Sequence, residues 1–318
     1  MTGPRGRRRW RGPRYSSVFR PGETWEARMR RWLAAAMGLA MLSGCAAGLP
    51  DGVDGDLTDG WRLPPPAVQW RPATGRCFDD VPDTTGPGTY APIDCGQRHV
   101  AETYWIGDLT GPAASPSADA NSARPAAYPE CSRRADAFAG GQWRASRLVV
   151  HIVLPDRTGW AAGARWFRCD MGVMADDGGV VGRSGSLRNA LAGASELRLG
   201  CFNPTVAGDS VRAMAAVDCD RPHHAEFAGL WTAPSIAITA LDGSPELARG
   251  CLSTIAGYAA LPDDGMLRYR TGWLGFPGTE AAWNAGDRTV QCFLWLSGET
   301  LTGSYRNAGP GKLKVHYA

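Results

Sequence analysis

Residues 94–102 read DCGQRHVAE, and residues 218–226 read DCDRPHHAE. The shared frame is Cys-x3-His-x2-Glu behind an aspartate: Cys95, His99 and Glu102 in the first stretch, Cys219, His223 and Glu226 in the second. Working outward, the match continues on both sides. Cys77-Phe78 stands 18 residues before Cys95, and Cys201-Phe202 stands 18 residues before Cys219. Downstream, Cys131, Ala135 and Phe138 answer to Cys251, Ile255 and Tyr258, at offsets that fall on one helical face. Trp-x2-Gly-x-Arg-x3-Cys occurs as Trp160, Gly163, Arg165, Cys169 and again as Trp283, Gly286, Arg288, Cys292. Gly185-Ser186-Leu187-Arg188-Asn189-Ala190 then matches Gly303-Ser304-Tyr305-Arg306-Asn307-Ala308. Five ordered matches read as one module duplicated in tandem.

Each copy reads as strand, strand, helix, strand, strand. The expected fold class is α+β: two tandem repeats, each a small antiparallel sheet with one helix, disulfide-bonded. Copy one is expected over 72–192 and copy two over 196–310. Amphipathic helices are expected at Tyr128–Gly140 and Pro245–Ala260, the second announced by Ser244-Pro245 as N-cap and first helical residue. Leu148–Leu154 and Trp273–Phe276 read as strands, each closed by proline. Trp105, Trp231, Trp273 and Trp295 also fall in strand-like apolar runs and read as core. Gly111–Arg124, rich in Ala, Ser and Pro, is expected to be a disordered surface loop. Leu191–Leu199 is too short for a free linker, so the copies are expected to pack together. Residues 311–318 read as a polar tail.

The N-terminal region reads as an export signal. Met29-Arg30-Arg31 is a short positive segment, Trp32–Leu42 is eleven apolar residues, and Leu42-Ser43-Gly44-Cys45 has the form of a lipobox. Eleven residues cover about half of the roughly 20 that a membrane-spanning helix needs. The reading is therefore a lipoprotein signal region, 1–44, with Cys45 as the lipidated residue. Residues 45–71, rich in Gly, Asp and Pro, read as a flexible tether. The formal charge of +3 belongs to the signal region. Setting aside the ten arginines and two acids of residues 1–44 leaves 24 basic and 29 acidic side chains, a net charge of −5. A net-acidic body argues against nucleic-acid binding, which needs clustered Lys and Arg to neutralise phosphates.

Of nine cysteines, eight remain beside Cys45, four per copy: Cys77, Cys95, Cys131, Cys169 and Cys201, Cys219, Cys251, Cys292. Outside the cytoplasm paired cysteines are the expected state. Four cysteines allow three pairings. Duplication favours pairing within a copy, since each ancestral unit folded alone. The favoured scheme is Cys77–Cys95 with Cys131–Cys169, and Cys201–Cys219 with Cys251–Cys292.

These motifs together resemble the actinobacterial septum formation family of membrane-associated proteins and lipoproteins, here over nearly all of 72–310 in two copies. The resemblance implies a role in septum formation or envelope biology, with no established reaction or ligand. Gln97-Arg98 departs from the more typical Arg221-Pro222 ahead of the histidine.

Candidate binding residues are His99, Glu102, His223, Glu226, Arg165 and Arg288. A histidine near a carboxylate suits metal binding or proton transfer. On a strand, however, offset 3 sends the two side chains to opposite faces, which favours a structural role. Arg165 and Arg288 suit anionic wall polymers, but stacking on Trp160 and Trp283 is the simpler use. No Cys-x2-Cys, His-Glu-x2-His or Gly-x-Ser-x-Gly occurs. The resulting expectation is a non-enzymatic, lipid-anchored module on the extracytoplasmic face of the membrane, with no cofactor and no metal. Its expected partners are envelope or division proteins or the cell wall. The alternative is a metal- or glycan-dependent envelope enzyme using the His/Glu pairs.

Overall fold

The computed structural model describes residues 69–118, 120–208 and 210–316. The signal region, Cys45 and all but the end of the tether lie outside the described residues. Among the described residues no helix is long and apolar enough to cross a membrane.

The first part of the chain carries β1 (Cys77–Phe78), β2 (Thr84–Thr85), β3 (Ala101–Asp108), α1 (Ala120–Ala139), β4 (Leu148–Pro155), α2 (Arg157–Ala161), β5 (Trp166–Met174) and β6 (Val180–Val181). The second carries β7 (Cys201–Ala207), β8 (Ser210–Val217), β9 (Ala225–Thr232), α3 (Ile238–Leu241), α4 (Pro245–Ala259), β10 (Gly272–Pro277), α5 (Glu280–Asn284), β11 (Thr289–Trp295) and α6 (Gly309–Lys312). The fold is mixed α+β with two sheets and few helices.

The strand orders are β1-β3-β5-β4-β2, with β6 on β5, and β10-β11-β9-β7-β8. The two orders share a four-strand arrangement, β1-β3-β5-β4 against β7-β9-β11-β10. They differ in what lies between the first two cysteines. Residues 79–94 hold Pro82, Pro87 and Pro92, which cannot donate to a ladder, and yield only the two-residue β2. Residues 203–218 continue as a hairpin, β7 on β8. β2 runs parallel to β4, so the first sheet is not the purely antiparallel one expected. The reason is that β3 and α1 intervene in sequence and bring the chain back in the same direction.

A long helix covers one face of each sheet. On α1, Ala123, Ala127, Cys131, Ala135 and Ala139 recur every fourth residue and are fully buried. Tyr128 and Phe138 flank this stripe of small residues. The helix starts well before the expected Tyr128, and takes in part of the segment expected to be a loop. Pro125 and Pro129 sit inside it, each removing a backbone donor. Burial of Ala123 and Ala127 against the core is what carries the helix through them. On α4, Ser244 Oγ accepts from Leu247 N at 3.1 Å, a side-chain cap above Pro245. Leu247, Cys251, Ile255 and Tyr258 face inward.

Four disulfides fix these layers, in the pairing that the sequence favours: Cys77–Cys95, Cys131–Cys169, Cys201–Cys219 and Cys251–Cys292. Cys131–Cys169 ties α1 to β5, and Cys251–Cys292 ties α4 to β11. Each closes a long loop and contributes about 2–4 kcal/mol.

Both expected free ends are in fact docked. Trp70 packs edge-on against Tyr90 and Trp166 at 5.1 and 5.6 Å, so the fold begins before residue 72. At the other end Leu313 is buried, Arg270 Nη1 donates to its carbonyl at 2.8 Å, and His316 N donates to Tyr269 O. The segment read as a polar tail thus closes the second core, because Leu313 supplies an apolar side chain there.

The two parts touch directly. Tyr128 Oη donates to Asp287 Oδ2 at 2.8 Å, and Arg144 Nε donates to the same oxygen at 2.7 Å. Gln291 Nε2 donates to Arg144 O, and Ala282 packs into the first core. The short connection contributes too, with Arg147 N bonded to Leu197 O and Leu199 N to Ala145 O.

Candidate functional site

His99 and His223 lie just ahead of β3 and β9, in isolated bridges to Arg183 and Leu301. His99 N donates to Arg183 O at 2.8 Å, and Leu301 N donates to His223 O at 2.7 Å. Both imidazoles are buried. Their Nδ1 atoms sit 2.9 Å from Gln97 O and 2.8 Å from Arg221 O. A carbonyl only accepts, so Nδ1 is the donor in both contacts. Neither Nε2 has a partner among the described residues.

Glu102 and Glu226 open their strands and are also buried. Glu102 accepts from Ser186 Oγ at 2.7 Å and from Leu187 N at 2.6 Å. Glu226 accepts from Ser304 Oγ at 2.6 Å, from Tyr305 N at 2.8 Å and from Tyr258 Oη at 2.5 Å. The carboxylates therefore hold the two Gly-Ser-x-Arg-Asn-Ala loops. The far end of each loop seats on its helix. Asn189 and Asn307 both adopt φ 56°, which asparagine tolerates. Their N–H groups bond Phe138 O and Tyr258 O at 2.8 and 2.9 Å, near the helix C-termini. Arg188 and Arg306 then stack on the rings of the same residues, at 4.8 and 4.6 Å.

This geometry corrects one expectation. His223 and Glu226 do not diverge to opposite faces: their side chains come within 4.8 Å of each other and of Cys201 Sγ. The strand starts only at Ala225, so strand alternation does not govern His223. Cys77, Cys95 and Glu102 form the corresponding group, without His99. Neither set fits a cation. The sulfurs are committed to disulfides and the carboxylate oxygens to the loop.

Arg165 lies 4.2 Å over Trp160 and donates to Ala114 O, Trp160 O and Ala164 O. Arg288 lies 4.6 Å over Trp283 and donates to Trp283 O. Both staple the turn ahead of the second cysteine-bearing strand, where Gly163 and Gly286 adopt φ of 94° and 93°.

Three features escape sequence reasoning. One is a buried network in which Arg168 donates twice to Asp170 Oδ2, at 3.0 and 2.7 Å, and Thr103 Oγ1 donates to Oδ1. The second is His151, on β4 opposite Asp170. The third is a groove beside α1, lined in part by Trp105, Arg134 and Arg188.

The disulfide-tied α+β fold fits an extracytoplasmic protein. The family model described as septum formation matches residues 74–292, well over half of the chain, and the chain belongs to that family. Neither the curated proteins nor the solved structures give a match.

Proposed function

We propose that this chain is a non-catalytic, lipid-anchored protein of the cell envelope that binds a protein or wall partner during septum formation. The observation that carries the reading is the septum formation match over 74–292, which points to the dividing envelope. The lipobox at Leu42–Cys45 supports anchoring through Cys45, on a tether over 45–71. The repeated motifs and shared strand order support tandem duplication, as copies over 72–192 and 196–310. Among the described residues the candidate groups are committed to structure: the Glu102 and Glu226 carboxylates hold loops, and Arg165 and Arg288 staple turns. No observation favours the enzymatic alternative.

The test follows the protein in dividing cells. Metabolic labelling with an alkyne fatty acid should tag the wild-type chain and not Cys45→Ala. A fluorescent fusion should gather at division sites, and crosslinking there should capture a defined envelope partner. Uniform distribution with no captured partner overturns the reading.

A further inference from the structure

The groove beside α1 is a cavity of about 310 Å³ lined by Thr74, Tyr104, Trp105, Arg134, Phe138 and Arg188 among others. No lining residue is acidic. The loop latched by Glu102, through Ser186 and Leu187, carries Arg188 and builds one wall of it. Arg134 lies 3.8 Å over the Trp105 ring and gives its Nε to Glu130. Arg188 lies over Phe138, and its guanidinium has no carboxylate or carbonyl partner among the described residues. The groove therefore holds one uncompensated positive charge on a body that is net acidic after Cys45.

The second copy shows what the fold itself requires here. Trp105 pairs with Cys169, and Gly229 pairs with Cys292 at the same place in the other ladder. Arg134 follows Cys131 by three residues, as Thr254 follows Cys251. The frame closes with Gly229 and Thr254, so it does not need a Trp–Arg stack. Trp105 also carries a cost, because its indole N–H is buried with no acceptor among the described residues. Such an orphan costs roughly 1–3 kcal/mol.

We propose that this groove binds the carboxylates of a short acidic peptide segment of a partner protein. The inference rests on the binding role proposed above and names its ligand class. The Arg188 guanidinium offers a planar fork of N–H donors, which matches a carboxylate in plane. The ring faces that a sugar would stack on are already covered by Arg134 and Arg188. A long polyanion meets the repulsion of the acidic body, whereas a short segment meets little of it.

The test titrates octaglutamate into the full exported chain, followed by tryptophan fluorescence, with octalysine and purified anionic wall polymer as further arms. The expected result is saturable, salt-sensitive binding of octaglutamate, weakened at least about tenfold by Arg188→Gln and unchanged by Arg306→Gln in the second copy. Circular dichroism checks that both variants stay folded. No saturation at millimolar octaglutamate, or equal binding by Arg188→Gln, overturns the proposal. Arg188-dependent binding of wall polymer without peptide binding overturns the peptide occupant. A partner captured at the septum equally well by Arg188→Gln removes the groove and leaves the septal reading standing. Peptide binding by a chain that never reaches the septum does the reverse.

Discussion

Arg144 donates from Nε and Nη2 to a single oxygen, Oδ2 of Asp287, at 2.7 and 2.5 Å, and so joins the two parts of the chain through one carboxylate. Tyr128 Oη reaches the same oxygen, and Thr289 N bonds Oδ1. The pair is mostly shielded, with side-chain exposures of 22% and 10%, so solvent screens it little.

Asp287→Ala should therefore cost about 2–3 kcal/mol, the range for losing charge-assisted bonds and leaving their donors partly buried. Calorimetry should show a lower melting temperature and a transition that broadens as the two parts uncouple. Acid should act on the same contact. Burial raises the Asp287 pKa, but the bonds from Thr289, Arg144 and Tyr128 outweigh it and hold the carboxyl below the usual carboxylate range. A depressed folded pKa means stability that is full above the unfolded value, about 4, and lost as the pH falls through the folded one. Asp287→Ala should flatten the pH dependence in that window.

His151 predicts a second, separate acid effect. Burial holds its imidazole below the usual histidine range, with Asp83 opposing in part. The unfolded chain then takes up the proton first as the pH falls. Stability should be full above about 6.5 and decline from there down to the folded value. Urea unfolding between pH 8 and 5 should show this slope, and His151→Gln should remove it. An unchanged slope would place its origin elsewhere.

The loop latch makes a prediction about local opening. Glu226→Gln keeps the shape but turns one acceptor into a donor facing Ser304, Tyr305 and Tyr258. The loss should be about 1–3 kcal/mol. Hydrogen exchange should quicken first at Tyr305 and Asn307, with the β9–β11 ladder less affected.

The disulfides should separate into two classes. Cys131, Cys169, Cys251 and Cys292 are fully buried, whereas Cys95 and Cys219 are only partly covered. Thiol exchange needs access to a sulfur. Mild reduction of the native chain, trapped by alkylation, should label Cys77–Cys95 and Cys201–Cys219 before the helix-to-sheet pairs. Full reduction of four bridges should add about 8 Da.

Arg168 and Asp170 test the cost of a buried ion pair, at 1% and 0% side-chain exposure. Asp170→Ala strands the guanidinium and should cost about 3–5 kcal/mol. At matching register beside its cysteine, the second sheet carries Gln291 and Phe293, the latter in an aromatic cluster. The double change Arg168→Gln with Asp170→Phe should recover much of the single-variant loss in melting temperature.

Much of this fold is legible from spacing alone. Paired motifs placed Cys131 and Cys251 on buried helix faces, and Leu148–Leu154 and Trp273–Phe276 in strands, because helical and strand periodicity are local properties. The early start of α1 was not legible, since Pro125 and Pro129 argue against a helix and only contact with the sheet overrides them. The latch was half legible. His, Glu and Gly-Ser-x-Arg-Asn-Ala all repeat, yet nothing in their spacing says that Glu102 reaches Ser186 across 84 residues.

The sequence by itself determined the repeated motifs, the even cysteine spacing and the acidic balance of residues 45–318, because these rest on residue identity and local spacing. Tertiary structure decided the use of the parts. It turned Glu102 and Glu226 into loop anchors and buried His99 and His223 beside them. It spent Arg165 and Arg288 on carbonyls and left Arg188 uncompensated beside Trp105 and Arg134. Hydrogen-bond saturation and charge compensation depend on which distant groups share a few ångströms, and only the folded chain sets that.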